Sequence, residues 1–333
     1  MNTTNTTPTQ TITQTIAQKI LEIIFTVRNA PAADATAESI AEGLSYHLGK
    51  VAALVEKGAV IEMVLPAFPA KSANPEKTTG TLPDLGELLA MRRLEALCVA
   101  IDEVYAPGAR VVICSDGRVF SDLVGVTDAD VTAYGQEIAR MIADEGLSHL
   151  TTYDMDDLFP GVADHDLTRH ELVTRFAESL DVVRERAAGD ADARRMYNGI
   201  ARFMFEDLVV LHPEMSRTKV RNWSAQLAYQ VIQRSNAWSN LVAAEFPEAV
   251  RLSIHPQAAH SRKIGVQMVA SSNLWRTPWH ASVLFDGREH TLVRRAEAEA
   301  RGAILVKMSD RYAYFVLPGA LPGSTNETEV FVA

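Results

Sequence analysis

The fold is set by Ala109-Arg110-Val111-Val112-Ile113-Cys114-Ser115-Asp116-Gly117-Arg118-Val119-Phe120-Ser121-Asp122. Behind Gly108, an apolar, β-branched run of four residues predicts a strand buried on both faces. Strands of that kind belong to parallel sheets with helices on either side. The run breaks abruptly into a polar, Gly-containing segment. In open parallel sheets ligands bind beyond the carboxyl ends of the strands, so the segment after each strand is the first place to look for function.

On either side of this stretch, Ile61–Leu65, His149–Tyr153 and Ala249–Ile254 read as further strands. Helical periodicity fills the intervals, over about 37–57, 85–105, 128–145, 167–187, 191–211 and 219–246, and Ile16, Ile20, Ile23 and Ile24 share one helical face. Strands alternating with helices predict an α/β fold, a doubly wound and mostly parallel sheet behind a helical N-terminal part. Residues 66–83 carry four prolines and a glycine, which forbid regular structure and predict an ordered loop anchored by Phe68 and Leu82. From 256 onward the candidates are short: Lys263–Val269, Ala281–Phe285, His290–Val293, Ala303–Lys307 and Tyr312–Leu317, with a hairpin turn at Asp286-Gly287. They predict antiparallel C-terminal strands, an extension or small lobe over 256–320. The whole reads as one unit over 16–320 between tails at 1–15 and 321–333.

Composition bounds the function. The 333 residues include 32 basic and 42 acidic ones, a net charge of −10, with 47% apolar content. Nucleic acid is disfavoured, because phosphate backbones need a clustered basic surface. No apolar run approaches the roughly 20 residues of a membrane span. Two cysteines, Cys98 and Cys114, both lie in apolar segments; they suit buried thiols and a cytoplasmic location rather than disulfides. No Gly-x-Gly-x-x-Gly, P-loop, Gly-x-Ser-x-Gly or His-Glu-x-x-His occurs, so nucleotide cofactors, serine hydrolysis and zinc peptidolysis lose ground.

The segments after the strands supply the chemistry. Ser115, Asp116, Arg118 and Ser121 put a carboxylate, a guanidinium and two hydroxyls on one turn, suited to an anion. Lys71 and Lys77 follow the first strand and suit a phosphate or an amine-handling base. Asp154, Asp156 and Asp157 follow the third and read either as a cation site or as a helix opening. His255 and Gln257, after the fourth, suit a general acid/base and an amide donor. His255 and His260 lack an acidic third ligand nearby, so no metal is expected. Arg217, Lys219 and Arg221 read as a phosphate clamp or a solvated helix start. Trp275 and Trp279 wall an aromatic pocket or cover a core edge.

Five segments together resemble a known family: Leu65–Ser72 with Leu82–Glu87, Val112–Asp122, Val231–Ser239, Arg251–Gln257 and Thr277–His280. In this order they are similar to the isocyanide (isonitrile) synthases of pyoverdine/dityrosine biosynthesis, over about residues 13–320. The resemblance implies a Rossmann-like core and conversion of L-tyrosine or L-tryptophan, tyrosine being the commoner bacterial substrate, to its α-isocyano acid. Ribulose 5-phosphate supplies the carbon, and no organic cofactor is implied. An iron/2-oxoglutarate oxygenase acts next in the pathway without a stable complex. For that chemistry Arg118 and Lys71 are assigned to anions with Lys263 in reserve, and Asp116, His255 and Lys71 to catalysis. Ser115, Ser121, Gln257 and His280 join the substrate contacts, and Trp279 lines the aromatic pocket. The residues alone leave open a phosphosugar lyase or phosphatase, or a ligand-binding protein without catalysis.

Overall fold

The central strands form on apolar, largely β-branched runs that pair with one another in parallel register. The computed structural model describes residues 8–309, 311–320 and 328–329. The first half of the chain runs α1 (Pro8–Phe25), α2 (Ala37–Glu56), β1 (Ile61–Pro66), α3 (Leu85–Asp102), β2 (Ala109–Cys114), α4 (Gly117–Val124), α5 (Asp128–Asp144) and β3 (Leu150–Tyr153). A helical block comes next: α6 (Met155–Leu158), α7 (His165–Phe176), α8 (Leu180–Gly189), α9 (Ala191–Leu211) and α10 (Arg217–Glu245). The remainder is β4 (Val250–Ser253), β5 (Ile264–Gly265), β6 (Ser282–Phe285), β7 (His290–Val293), α11 (Arg295–Ala300), β8 (Ile304–Met308), β9 (Tyr312–Val316) and β10 (Thr328–Glu329).

The first sheet has the order β3-β2-β1-β4-β5 and is parallel throughout. Order reverses between β1 and β4, which makes their carboxyl ends the topological switch point. Alternation along the strands sorts the two faces. Met63, Leu65, Val111, Ile113, Val250 and Leu252 face a core shared with α1, α2, α3 and α5. Val64, Val112 and Cys114 face Trp238, Leu241 and Val242 of α10.

The α/β architecture with a parallel sheet is as predicted, and four particulars differ. The C-terminal strands form a mixed sheet of order β10-β8-β9-β6-β7, in which β6 and β9 pair parallel and the other pairs antiparallel. The Lys263–Val269 candidate shrinks to the two residues of β5, which pair parallel with β4 and so belong to the first sheet. The helix predicted over 167–187 is two, broken at the extended Ala177 and restarted by Ser179 capping the Val182 amide. Helix α1 begins at Pro8, so residues 8–15, expected as tail, are helical. Residues 1–7 and most of 321–333 lie outside the described residues. No helix among the described residues is long and apolar enough to cross a membrane.

Residues 67–84 are irregular yet mostly buried. Phe68 anchors them, as expected, against Trp279 at 5.2 Å between ring centroids. Leu82 does not; it is largely exposed. Ion pairs take its place. The Lys71 ammonium meets Asp84 Oδ2 and Glu87 Oε2, each at 2.8 Å, and donates to the Pro278 carbonyl at 3.1 Å. Asp84 and Glu87 are also the capping box that opens α3, so one cluster ties the loop, the helix start and the Pro278 turn together.

Candidate active site

The site begins with a departure from helix-start chemistry. Asp116 occupies the N-cap position of α4, where a carboxylate ordinarily accepts from the first-turn amides. Here its side chain makes no capping bond, and among the described residues no side chain pairs with it. Burial pushes its carboxyl up to about 7, against the pull of its own amide and of Lys263. The backbone geometry depends on Gly117: a Cβ there would overlap the Pro69 carbonyl oxygen. The segment read as a turn is therefore the start of a helix, docked against the loop after β1. Ser115 locks the junction by donating its hydroxyl to the Phe68 carbonyl at 2.9 Å. That carbonyl belongs to a left-handed residue, Phe68 at φ 55°.

From β4 comes His255. The residue is exposed, yet the protein around its ring first, then Lys263, pulls it down to about 4, so it is a neutral imidazole. Trp275, 62% exposed, lies tilted against it at 5.2 Å. Gln257 holds the loop: its amide donates to Ser253 Oγ at 3.2 Å and accepts from Ser261 Oγ at 2.6 Å. Gly265 lets this loop and the segment after α1 close on β5, because a Cβ there would overlap the Asn29 carbonyl oxygen and crowd the His255 carbonyl at 2.9 Å. Lys263 lies within electrostatic range of Asp116 and His255; burial and then Arg251 bring its amine down to about 8. His280 completes the group. Thr277 Oγ1 sits 3.1 Å from its Nδ1 and Phe203 packs edge-on at 4.9 Å. Burial, with Lys77, His255 and Lys71, holds it well below the usual histidine range.

The structure thus gathers Asp116, His255, Lys263 and His280, with Ser115 and Gln257 bracing them. Four expected residues are committed elsewhere. Lys71, 2% exposed, spends its three donors on the cluster described above; burial opposes its charge, but Asp84 and Glu87 prevail and hold it above the ordinary lysine range. Arg118, 6% exposed, is held by the starts of α5 and α6: it donates to Asp156 Oδ2 at 3.2 Å, the Asp128 carbonyl at 3.3 Å and Thr132 Oγ1 at 2.8 Å. Ser121 donates to Asp128 Oδ1 at 2.9 Å and accepts from Arg169 at 2.9 Å. Trp279, 1% exposed, is a core residue behind Phe68; the aromatic beside the site is Trp275. Lys71 and Arg118 are drawn inward by counter-charges that neighbouring elements supply, and Trp279 by the apolar wall around Phe68.

Other candidates resolve as structure. Asp154 and Asp157 form a capping box on α6. Arg217 and Arg221 lie over the Phe205 ring on the surface, and His260 points to Glu42. Lys77 is buried, ion-paired with Asp207 at 2.5 Å and set over Phe203 at 4.2 Å. Sequence reasoning missed Arg251, whose place beside Lys263 comes from the short pairing of β4 with β5. Among the described residues no three His, Cys, Asp or Glu groups converge to hold a metal ion.

Comparison with known proteins identifies the family of the chain. A family model described as "Pyoverdine/dityrosine biosynthesis protein" matches residues 51–306. An L-tryptophan isonitrile synthase of Fischerella ambigua is 44% identical over 272 residues, 82% of each chain. An L-tyrosine isonitrile synthase of Pseudomonas aeruginosa is 39% identical over 274 residues, 81% of this chain and 84% of that one. The crystal structure of the PvcA protein from Pseudomonas aeruginosa superposes with a TM-score of 0.85 at 35% identity, across 91% of this chain and 99% of the other. A match over most of the sequence, and a fold shared across nearly the whole of a solved relative, place the chain in the pyoverdine/dityrosine biosynthesis family.

Proposed function

We propose that the protein is an isonitrile synthase that converts the α-amino group of an aromatic L-amino acid to an isocyano group, taking the carbon from ribulose 5-phosphate. The observation that carries this reading is the 44% identity to the tryptophan enzyme across 82% of both chains. The tyrosine enzyme is less similar at 39%, so L-tryptophan is the substrate this reading favours over the tyrosine expected from the sequence. The sequence's further expectations, a cytoplasmic location and an iron/2-oxoglutarate oxygenase acting next without a stable complex, remain part of the proposal. Two buried free thiols support the first.

The site suits the opening chemistry. An amine must shed a proton, attack the sugar ketone and lose the former ketone oxygen as water to leave an imine. A carboxyl poised at about 7 can take the proton from the substrate ammonium and return it to the departing hydroxyl. Neutral His255 and His280 are placed to pass protons while the carbon–carbon bonds flanking the transferred carbon break. Trp275 offers an exposed aromatic face to the substrate ring beside His255.

Purified protein incubated with L-tryptophan, L-tyrosine and ribulose 5-phosphate should give a product whose mass matches –N≡C in place of –NH2, faster from tryptophan. Consumption of ribulose 5-phosphate with no amino acid consumed would overturn the reading in favour of a phosphosugar lyase or phosphatase.

A further inference from the structure

Parallel pairing places residues of equal register side by side, on strands about 4.8 Å apart. Val64 of β1 faces Arg251 of β4, and Leu252 of β4 faces Ile264 of β5. One step back along both strands, Lys263 stands beside Arg251. Both alternate away from Leu252 and Ile264, which lie in the core with α1 and α3. They therefore share the α10 face of the sheet, on the row of Val64 and Val112.

Two half-buried cations here stand together with no acid in contact. Among the described residues no carboxylate reaches ion-pair distance of either. Arg251 uses one terminal nitrogen on α10, donating to the Ser239 carbonyl at 3.0 Å and to Ser239 Oγ at 2.8 Å; its other two nitrogens have no acceptor among the described residues. Exposed Lys50 and Arg262 add positive charge around the same point. Burial and then Arg251 draw both amines down, and the opposing pull of Glu248 on Lys50 and of Asp116 on Lys263 does not restore them. Like charges driven together in a partly desolvated place are destabilising unless an anion joins them.

We propose that Arg251 and Lys263 form the binding site for a phosphate monoester dianion, with Ser239 holding the guanidinium in place and Lys50 and Arg262 supplying longer-range attraction. The site adjoins Asp116 and His255, so a phosphosugar anchored by its phosphate extends toward the acid/base groups. This rests on the function proposed above and gives it the anion contacts that Arg118 and Lys71 do not provide. The excess of positive charge fits a dianion rather than the single charge of an amino-acid carboxylate.

The test compares Arg251→Met and Lys263→Met with the charge-preserving Arg251→Lys and Lys263→Arg. Each is assayed for KM toward ribulose 5-phosphate and toward L-tryptophan, and for binding of inorganic phosphate by calorimetry. Loss of one charge-assisted contact should raise KM for ribulose 5-phosphate roughly tenfold to a hundredfold and weaken phosphate binding in parallel, leaving KM for tryptophan within about twofold. The charge-preserving variants should fall between, an ordering that a folding defect does not produce. A rise in KM for tryptophan alone, or unchanged KM for ribulose 5-phosphate in both neutral variants of an isonitrile-forming enzyme, would overturn the phosphate assignment and leave the activity standing. Phosphate binding lost in those variants, with wild-type protein forming no isonitrile, would uphold the anion site and overturn the activity.

Discussion

At the level of single residues, the proposed chemistry centres on Asp116 and Lys263, because their ionisations are brought toward each other. Asp116 is raised to about 7 by burial, and Lys263 is lowered to about 8 by burial and Arg251. A base must be ionised and an anion-binding amine protonated, so kcat/KM should rise with pH through about 7 and fall above about 8. Asp116→Asn should abolish the acidic limb, and Lys263→Arg should shift the alkaline limb upward; a pH–rate profile for each checks this. Sequence order made Asp116, His255 and Lys263 visible as candidates because each lies at a strand terminus. It made Arg118 and Lys71 equally visible, and nothing local revealed that Asp156, Asp128, Asp84 and Glu87 would claim them from neighbouring elements. Trp275 and Trp279 sit close together in the chain, and only the packing of Phe68 tells which of them is core.

Among the elements, α4 and α3 do the positioning. Gly117 lets α4 start against the Pro69 carbonyl; Gly117→Ala must displace one or the other. Overpacking of this kind costs about 1–3 kcal/mol, so denaturant unfolding should show a loss of that size together with reduced activity. The Lys71 cluster is more demanding. Lys71→Met removes the cation that pairs with two buried carboxylates and should cost about 3–5 kcal/mol, read as a lower midpoint in urea. At the opposite, amino end of β3, His149 bridges Glu95 at 2.6 Å and Asp102 at 2.8 Å, both on α3. These contacts, first that with Glu95, raise its pKa above the ordinary value. Its stabilisation is full below about 6.5 and is lost as pH climbs through the raised value. Melting temperature should therefore decline from about pH 6 to about pH 9 more steeply in wild type than in His149→Gln, with activity unaffected at a fixed pH. The helix α4 escaped sequence reading because so short a helix directly after a strand carries too little pattern to separate from a polar turn. The two residues of β5 escaped for the same reason.

Across the whole molecule, the parallel sheet was legible because its central strands are continuous apolar runs, and their alternation with helices admits few topologies. The mixed pairing of the second sheet was not, since the parallel contact of β6 with β9 joins strands separated by β7, α11 and β8. The order β3-β2-β1-β4-β5 puts the carboxyl ends of β1, β2 and β4 together, which brings residues 116 and 255 to one place, and the pairing of β4 with β5 adds Lys263 to it. If that shared place is the active site, Asp116 cannot be spared. The decisive measurement is the rate of isonitrile formation by Asp116→Asn, with its melting temperature followed alongside. Burial disfavours the ionised carboxylate in the folded state, so the variant should melt higher than wild type above about pH 7, the gap closing as pH falls toward about 4. Its rate should fall by roughly a hundredfold or more. A folded Asp116→Asn protein that forms isonitrile at the wild-type rate would contradict this reading of the site.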